Sequence, residues 1–384
     1  CSNLSILIAH WSGHRLRRVN LATEIATPNE VCADRIVRMP APQLHLTFGD
    51  LVQHNPLVPL AMRRACAAEP VYARLGSIFH DLPYYYAPMV FEAVRYGLGA
   101  QALDEPWGYR LHSVHPDRLV ASYIRAARTV PGLNDQERLA LVGGLLSHCA
   151  IDLSMHPLVN YCARRDVLRH GGHESTHHRL TEKYHALFIH LWRLGDDQIG
   201  TPAFAERCRI TKRGTSLSLK IEQPILDLMA SAFREAYGSA PSVVQFSKWV
   251  RNFRQFGLLL STPWVAKHSQ KTRTEALRER YFVNSEFDTR DFFTAAERRL
   301  GTLTTLAYEY FVNGDFSAPS QEVFLAQAGI DDLAEPQPVD LPLIPYLPPV
   351  RGKVVQPKQP KPPRIRLPQM GLRRKKSAAA AASM

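Results

Sequence analysis

The residues best equipped for chemistry lie on two short ridges. In 147–161, SHCAIDLSMHPLVNY, His148, Asp152 and His156 recur every four residues inside an apolar run. On a helix these positions share one face, with neighbouring Cβ atoms about 5–6 Å apart, so two imidazoles flank one carboxylate. His178 and Glu182 repeat the spacing in HHRLTEKYHALF. Imidazole nitrogen and carboxylate oxygen are ligands that zinc takes three or four at a time, at about 2.0–2.2 Å. A single His/Asp pair at this spacing is more often a salt bridge; a third residue on the same face and a second ridge downstream favour metal. His45, Asp81 and His112 are the upstream candidates. Eight such groups suffice for two or three metals sharing a carboxylate, and metals about 3.5–4 Å apart suit phosphate-ester hydrolysis. His80-Asp81 also matches the His-Asp dipeptide of another class of phosphohydrolase, a reading that would demote the His148 ridge.

Helices must carry these ligands. Asn134-Asp135 opens a helix that runs through Leu139, Leu141, Leu145 and Leu146 into the His148 ridge, and Pro157 is expected to bend or end it. The polar stretch 162–176 reads as a loop over the site, and 177–194 as the second ridge helix. Helical spacing also marks 61–69, 117–130, 224–237, 242–260 and 289–312, while 43–60 mixes helix with loop and 76–88 reads as a proline-punctuated turn. Only 209–221 alternates like a strand, too isolated to build a sheet. The expected class is therefore all-α, a multi-helix bundle over 39–330, preceded by a weakly ordered extension over 1–38 and followed by a disordered tail over 331–384.

Composition limits the alternatives. The net charge of +12 is concentrated in 351–384, which holds ten Lys/Arg and no acid, leaving +2 for the rest. A near-neutral body argues against a nucleic-acid surface. Residues 336–368 hold eleven of the 28 prolines, a composition that buries too little apolar surface to offset ordering. The plain reading of this tail is a solvated linker, and its charge makes an anionic membrane surface the partner to test. Six cysteines without a C-x-x-C pair imply reduced, mostly buried thiols and a cytoplasmic setting. No uninterrupted apolar run reaches the length of a bilayer span.

The ordered pattern MPAPQLHLTFG with His45, GSIFHDLPYY with Asp81, LHS with His112, HCAIDLSMHP and HHRLTE resembles the zinc-dependent phospholipase C family, which shares its all-α fold with the S1/P1 zinc nucleases. The resemblance covers roughly 39–195. It implies a zinc-dependent phosphodiester hydrolase acting on a phospholipid or other phosphoester. Asp81, His112, His148 and Asp152 would hold one zinc, and His156, His178 and Glu182 a second. His45 with Asp152 would hold a third, Asp152 bridging. Catalytic roles would fall to Asp81, orienting the attacking water, and to Glu182. In secreted members the α-amino group of the mature chain completes the third site; here His45 is an interior residue, so two zincs are expected and three only if His45 reaches Asp152. A nuclease of the same fold and a zinc-binding scaffold without turnover are the competing readings.

Overall fold

The longest helix begins where the sequence supplies a complete capping box. Asn134 Oδ1 accepts from the Glu137 amide at 3.0 Å, and the Glu137 carboxylate accepts from the Asn134 amide at 2.9 Å. In a computed structural model, which describes residues 42–86, 106–194, 201–212, 221–262, 281–337, 340–350 and 354, this helix spans Asp135–His170 without interruption. The fold is all-α. Before the long helix come α1 (Pro42–Leu51), α2 (Leu60–Ala68), α3 (Pro70–Ser77), α4 (Pro106–Ser113) and α5 (Pro116–Thr129). The long helix is α6, and α7 (Glu174–Leu194), α8 (Pro202–Arg207), α9 (Gln223–Tyr237), α10 (Val243–Leu260), α11 (Thr289–Asn313) and α12 (Ala318–Ala328) follow. Among the described residues the only β pairing is two isolated bridges, Gly172 with Val354 and Val283 with Asp288.

Helix α6 is the axis. It packs against α1, α2, α3, α5, α7 and α11, and almost every residue from Ala140 to Val167 is buried. By length and composition it could cross a bilayer, yet 94% of its most apolar stretch lies inside the fold, as befits a core helix. Glycines set its closest approach. A Cβ on Gly144 would lie 2.0 Å from the Ala73 carbonyl oxygen, and one on Gly76 would lie 2.3 Å from that of Leu141. Glycine costs about 1 kcal/mol relative to alanine inside a helix, but here it lets the α3 and α6 backbones touch.

Several boundaries differ from the expectation. Pro157 neither ends α6 nor leaves its freed acceptor bare: Arg299 of α11 donates to the Leu153 carbonyl at 3.3 Å, replacing the amide that proline lacks. The expected loop over 162–176 is mostly helix, broken only around Gly171 and Gly172, both at positive φ. Its charges are accommodated by pairing: Arg164 with Glu174 and Glu335, Arg165 with Glu286, and Asp166 with the Tyr281 hydroxyl. Pro70 stops α2 and also opens α3, which carries the chain to Ser77. Residues 209–212 form no strand.

The boundary expected at 330 also moves. Ile330 and Leu333 are fully buried, and Leu341, Ile344 and Leu347 pack on the core. The extended chain is held mainly through its own carbonyls and amides, which proline-rich sequence still offers. The expected extension over 1–38 and the tail beyond 354 lie outside the described residues. Cys66, Cys149, Cys162 and Cys208 are buried free thiols.

Candidate metal centre

All eight candidate ligands converge. Helix α1 supplies His45, the turn after α3 supplies Asp81, α4 supplies His112, α6 supplies His148, Asp152 and His156, and α7 supplies His178 and Glu182. They form three triads, each with ligand atoms within 4.8 Å of one another: His45–His148–Asp152, Asp81–His112–His148 and His156–His178–Glu182. Buried His and Asp groups, joined by the partly buried His178 and Glu182, are thus positioned to hold a metal ion. The first two triads share His148 and make one deeply buried cluster; the third is its neighbour on the same ridge.

Asp152 joins the two. Its Oδ1 lies 3.6 Å from His45 Nε2 and 3.6 Å from His156 Nε2, while its Oδ2 lies 2.9 Å from His148 Nε2 and 3.7 Å from His112 Nε2. His45, placed outside the ridges, therefore reaches the Asp152 cluster. Asp81 completes it at 3.4 Å from both His45 and His112. Glu182 Oε1 lies 3.3 Å from His156 Nε2 and 3.3 Å from His178 Nε2.

These separations have a simple meaning. Charge-assisted N–H···O contacts close to about 2.7–2.9 Å. Two ligands each about 2.05 Å from a tetrahedral ion are about 3.3–3.5 Å apart. Seven of the eight N···O contacts fall between 3.3 and 3.7 Å, nearer the second spacing than the first. The exception, His148 with Asp152, lacks hydrogen-bond angles, and both atoms are buried without a hydrogen-bond partner, as is Asp81 Oδ2.

The opposite edges of four of the five imidazoles are fixed by acceptors, His45 Nδ1 being buried without one. His112 Nδ1 faces the Gly108 carbonyl at 2.8 Å, His148 Nδ1 that of Ser77 at 3.0 Å, and His156 Nδ1 that of Leu333. His178 Nδ1 faces Asn160 Oδ1 at 2.8 Å. A ring nitrogen facing a carbonyl must carry the proton, so in the neutral ring Nε2 is left with a lone pair turned into the cluster. Metal-binding histidines are oriented in this way. Arg110 steadies α4 by stacking on Trp107 and Tyr237, 5.1 and 4.6 Å from the ring centroids.

Electrostatics ask for a cation. Burial opposes charge on every group, yet His148, His156 and His45 hold Asp152 well below the usual carboxylate range. Burial likewise opposes ionisation of Asp81 and Glu182, but His45 and His112 lower the first and His178 and His156 lower the second. His156 is penalised by burial and still pushed up to about 10 by Asp152 and Glu182. His148 rises for the same reason through Asp152, whereas burial and the neighbouring His148 lower His45. Two buried carboxylates and a third that is mostly buried need compensating charge, supplied by imidazolium protons or by an ion that displaces them.

The two subsites differ in access. In the first, side-chain exposure is 7% or less for His45, Asp81, His112, His148 and Asp152; in the second it is 10% for His156, 14% for Glu182 and 24% for His178. Tyr84, partly exposed, lies beside His112 with ring centroids 5.6 Å apart.

Sequence reasoning missed the groups that hold the ligands. Ser77, Gly108 and Leu333 act through backbone carbonyls, which side-chain identity does not reveal. Asn160 did carry a signal: it continues the four-residue series of His148, Asp152 and His156, and Arg164 extends it once more. His80 is fully buried, stacked on His148 at 4.7 Å, with neither ring nitrogen hydrogen-bonded; it belongs to none of the three triads. No family model, curated protein or solved structure matches the chain.

Proposed function

We propose that the protein is a zinc-dependent phosphodiester hydrolase of the phospholipase C type, with two zinc ions in the two subsites. The observation that carries this reading is the pairing of inward Nε2 atoms with carboxylates at ligand-edge distances, with His112, His148, His156 and His178 locked from behind. Asp81, His112, His148 and Asp152 would hold one ion, and His156, His178 and Glu182 the other. The His/carboxylate donor set suits zinc over thiophilic or purely oxygen-bound ions. His45 reaches the first subsite but brings no independent triad, because the His148 it shares has one nitrogen left to give. Two ions are therefore the reading, rather than three.

Bound there, zinc would supply Lewis acidity toward a phosphoryl oxygen and acidify a water molecule. The chain's own residues do the positioning. Asp152 keeps the two subsites in contact through its two oxygens. Asp81 Oδ2, without a hydrogen-bond partner, is an acceptor able to orient a water. His178 and Glu182, the more exposed ligands, mark the side from which a phosphoester would enter. The near-neutral charge outside the tail favours a phospholipid or small phosphoester over nucleic acid.

The test is hydrolysis of p-nitrophenylphosphorylcholine and bis(p-nitrophenyl) phosphate by zinc-loaded protein. Turnover by the wild type, reduced at least 100-fold in Asp81→Asn and His178→Ala, is the expected result. A zinc-loaded wild type inert toward lipid, nucleotide and model esters would sink the hydrolase reading. It would leave a closed zinc-binding scaffold, which the deep burial of the first subsite also suits.

A further inference from the structure

The second subsite is not assembled by the two ridges alone. The chain after α12 returns to the centre and runs along the continuation of the His148 ridge. There it meets three successive residues of the four-residue series. His156 Nδ1 donates to the Leu333 carbonyl, Asn160 Nδ2 donates to the Ala334 carbonyl at 2.9 Å, and the Arg164 guanidinium pairs with Glu335. Arg164 also donates to the Leu347 carbonyl at 3.0 Å and to Glu174 Oε1 at 2.9 Å. Glu174 in turn accepts from the Val350 amide at 2.5 Å. The same chain also touches α4 beside the first subsite, the Leu333 amide donating to the His112 carbonyl at 2.8 Å and Asp332 Oδ1 accepting from the Ser113 hydroxyl at 3.5 Å, but it meets no ring nitrogen there among the described residues.

The consequence for the ligands follows from donor and acceptor logic. Because Asn160 gives its Nδ2 to the Ala334 carbonyl, its Oδ1 faces His178 and must accept from Nδ1 at 2.8 Å. That fixes the His178 tautomer, leaving Nε2 free toward Glu182. The Leu333 carbonyl does the same directly for His156. Both histidines of the second triad therefore take their orientation from residues 333 and 334, far from them in sequence. In the first subsite His148 and His112 take theirs from Ser77 and Gly108.

We infer that residues 330–335 and 341–350 are a positioning strap for the second subsite, clamped by Arg164, so that strap docking and metal binding at His156, His178 and Glu182 strengthen one another. This rests on the reading of that triad as a metal site, but not on any hydrolytic activity. Arg164 and Asn160 are then positioning residues. The coupling is reciprocal: whatever the strap adds to metal affinity, the metal returns as strap protection.

The experiment uses the full chain, stripped of metal and titrated with zinc against a chromophoric chelator. The wild type is expected to bind two ions. Arg164→Met should weaken one of them about 10-fold or more, the usual scale for losing an outer partner, and leave the other unchanged. Glu335→Gln, at a half-exposed side chain that the core does not depend on, should move the same ion in the same direction by less. Should Arg164→Met fail to fold, Glu335→Gln decides alone. Hydrogen exchange of the Leu333 amide should slow on zinc loading in the wild type and lose that response in His178→Ala. Equal weakening of both ions would show general loosening and overturn the inference, as would unchanged binding of both. A wild type that binds one ion or none would overturn it together with the metal reading of the second triad, whereas an inert wild type that binds two ions would leave it standing.

Discussion

His148 Nδ1 lies 3.0 Å from the carbonyl oxygen of Ser77, a residue 71 positions earlier in the chain. The contact exists because α3 and α6 cross with their backbones touching at Gly76 and Gly144. The inward orientation of the central histidine is therefore set by two missing side chains.

Gly144→Ala tests that dependence. Its Cβ would meet the Ala73 carbonyl at 2.0 Å, so the helices must separate. Overpacking of this kind costs about 1–3 kcal/mol or more, and the shift should also weaken zinc at the first subsite by misaligning His148. Gly143→Ala is the control: the nearest atoms to its Cβ would be the Cys66 sulfur and the flexible Met62 side chain, both at 3.0 Å, rather than backbone. Thermal unfolding and zinc titration of both variants should separate them, with the effect of Gly143→Ala clearly the smaller.

Asp152 touches both subsites, so its loss should not be confined to one. Elemental analysis of protein purified without chelator should return about two zinc ions for the wild type. His112→Ala should lower the content to about one, as should His178→Ala. Asp152→Ala should lower occupancy at both positions, because its two oxygens face different histidines. A metal-free wild type that remains folded would remove the metal centre altogether.

Acidity gives a third expectation. In metal-free protein, burial works against charge on His156, but Asp152 and Glu182 push it up to about 10 from the ordinary histidine value of 6.5. A folded pKa above the unfolded one contributes stability fully present below pH 6.5 and lost as pH rises through about 10. A metal ion at this site displaces that proton, so its binding strengthens over the same interval. The difference in melting temperature between zinc-loaded and zinc-free protein should therefore widen from pH 6.5 toward 10. A difference that narrows would place the proton elsewhere.

The basic tail predicts an effect separate from the chemistry. Residues 355–384 carry eight of the ten Lys/Arg found after position 350. At roughly 1 kcal/mol per basic residue close to an anionic surface, their deletion should strongly weaken binding to phosphatidylserine vesicles. Turnover of a soluble ester should be unchanged. Flotation assays with and without anionic lipid, beside solution kinetics, check both arms.

The ligand types and the all-α class were legible because both are local. Four-residue spacing fixes which side chains share a helical face, and the alternation of apolar and polar positions marks each amphipathic helix without reference to its neighbours. His148, Asp152, His156, His178 and Glu182 could be grouped on that basis. What the chain alone could not decide was distance across the fold. That His45 reaches Asp152, that Arg299 replaces the hydrogen bond lost at Pro157, and that residues 333 and 334 orient His156 and His178 all depend on helix crossings and on a returning segment. Carbonyls make most of these connections. Every residue carries one, so no residue type announces them, and only the packing of α3, α6 and the C-terminal strap selects which ones meet an imidazole.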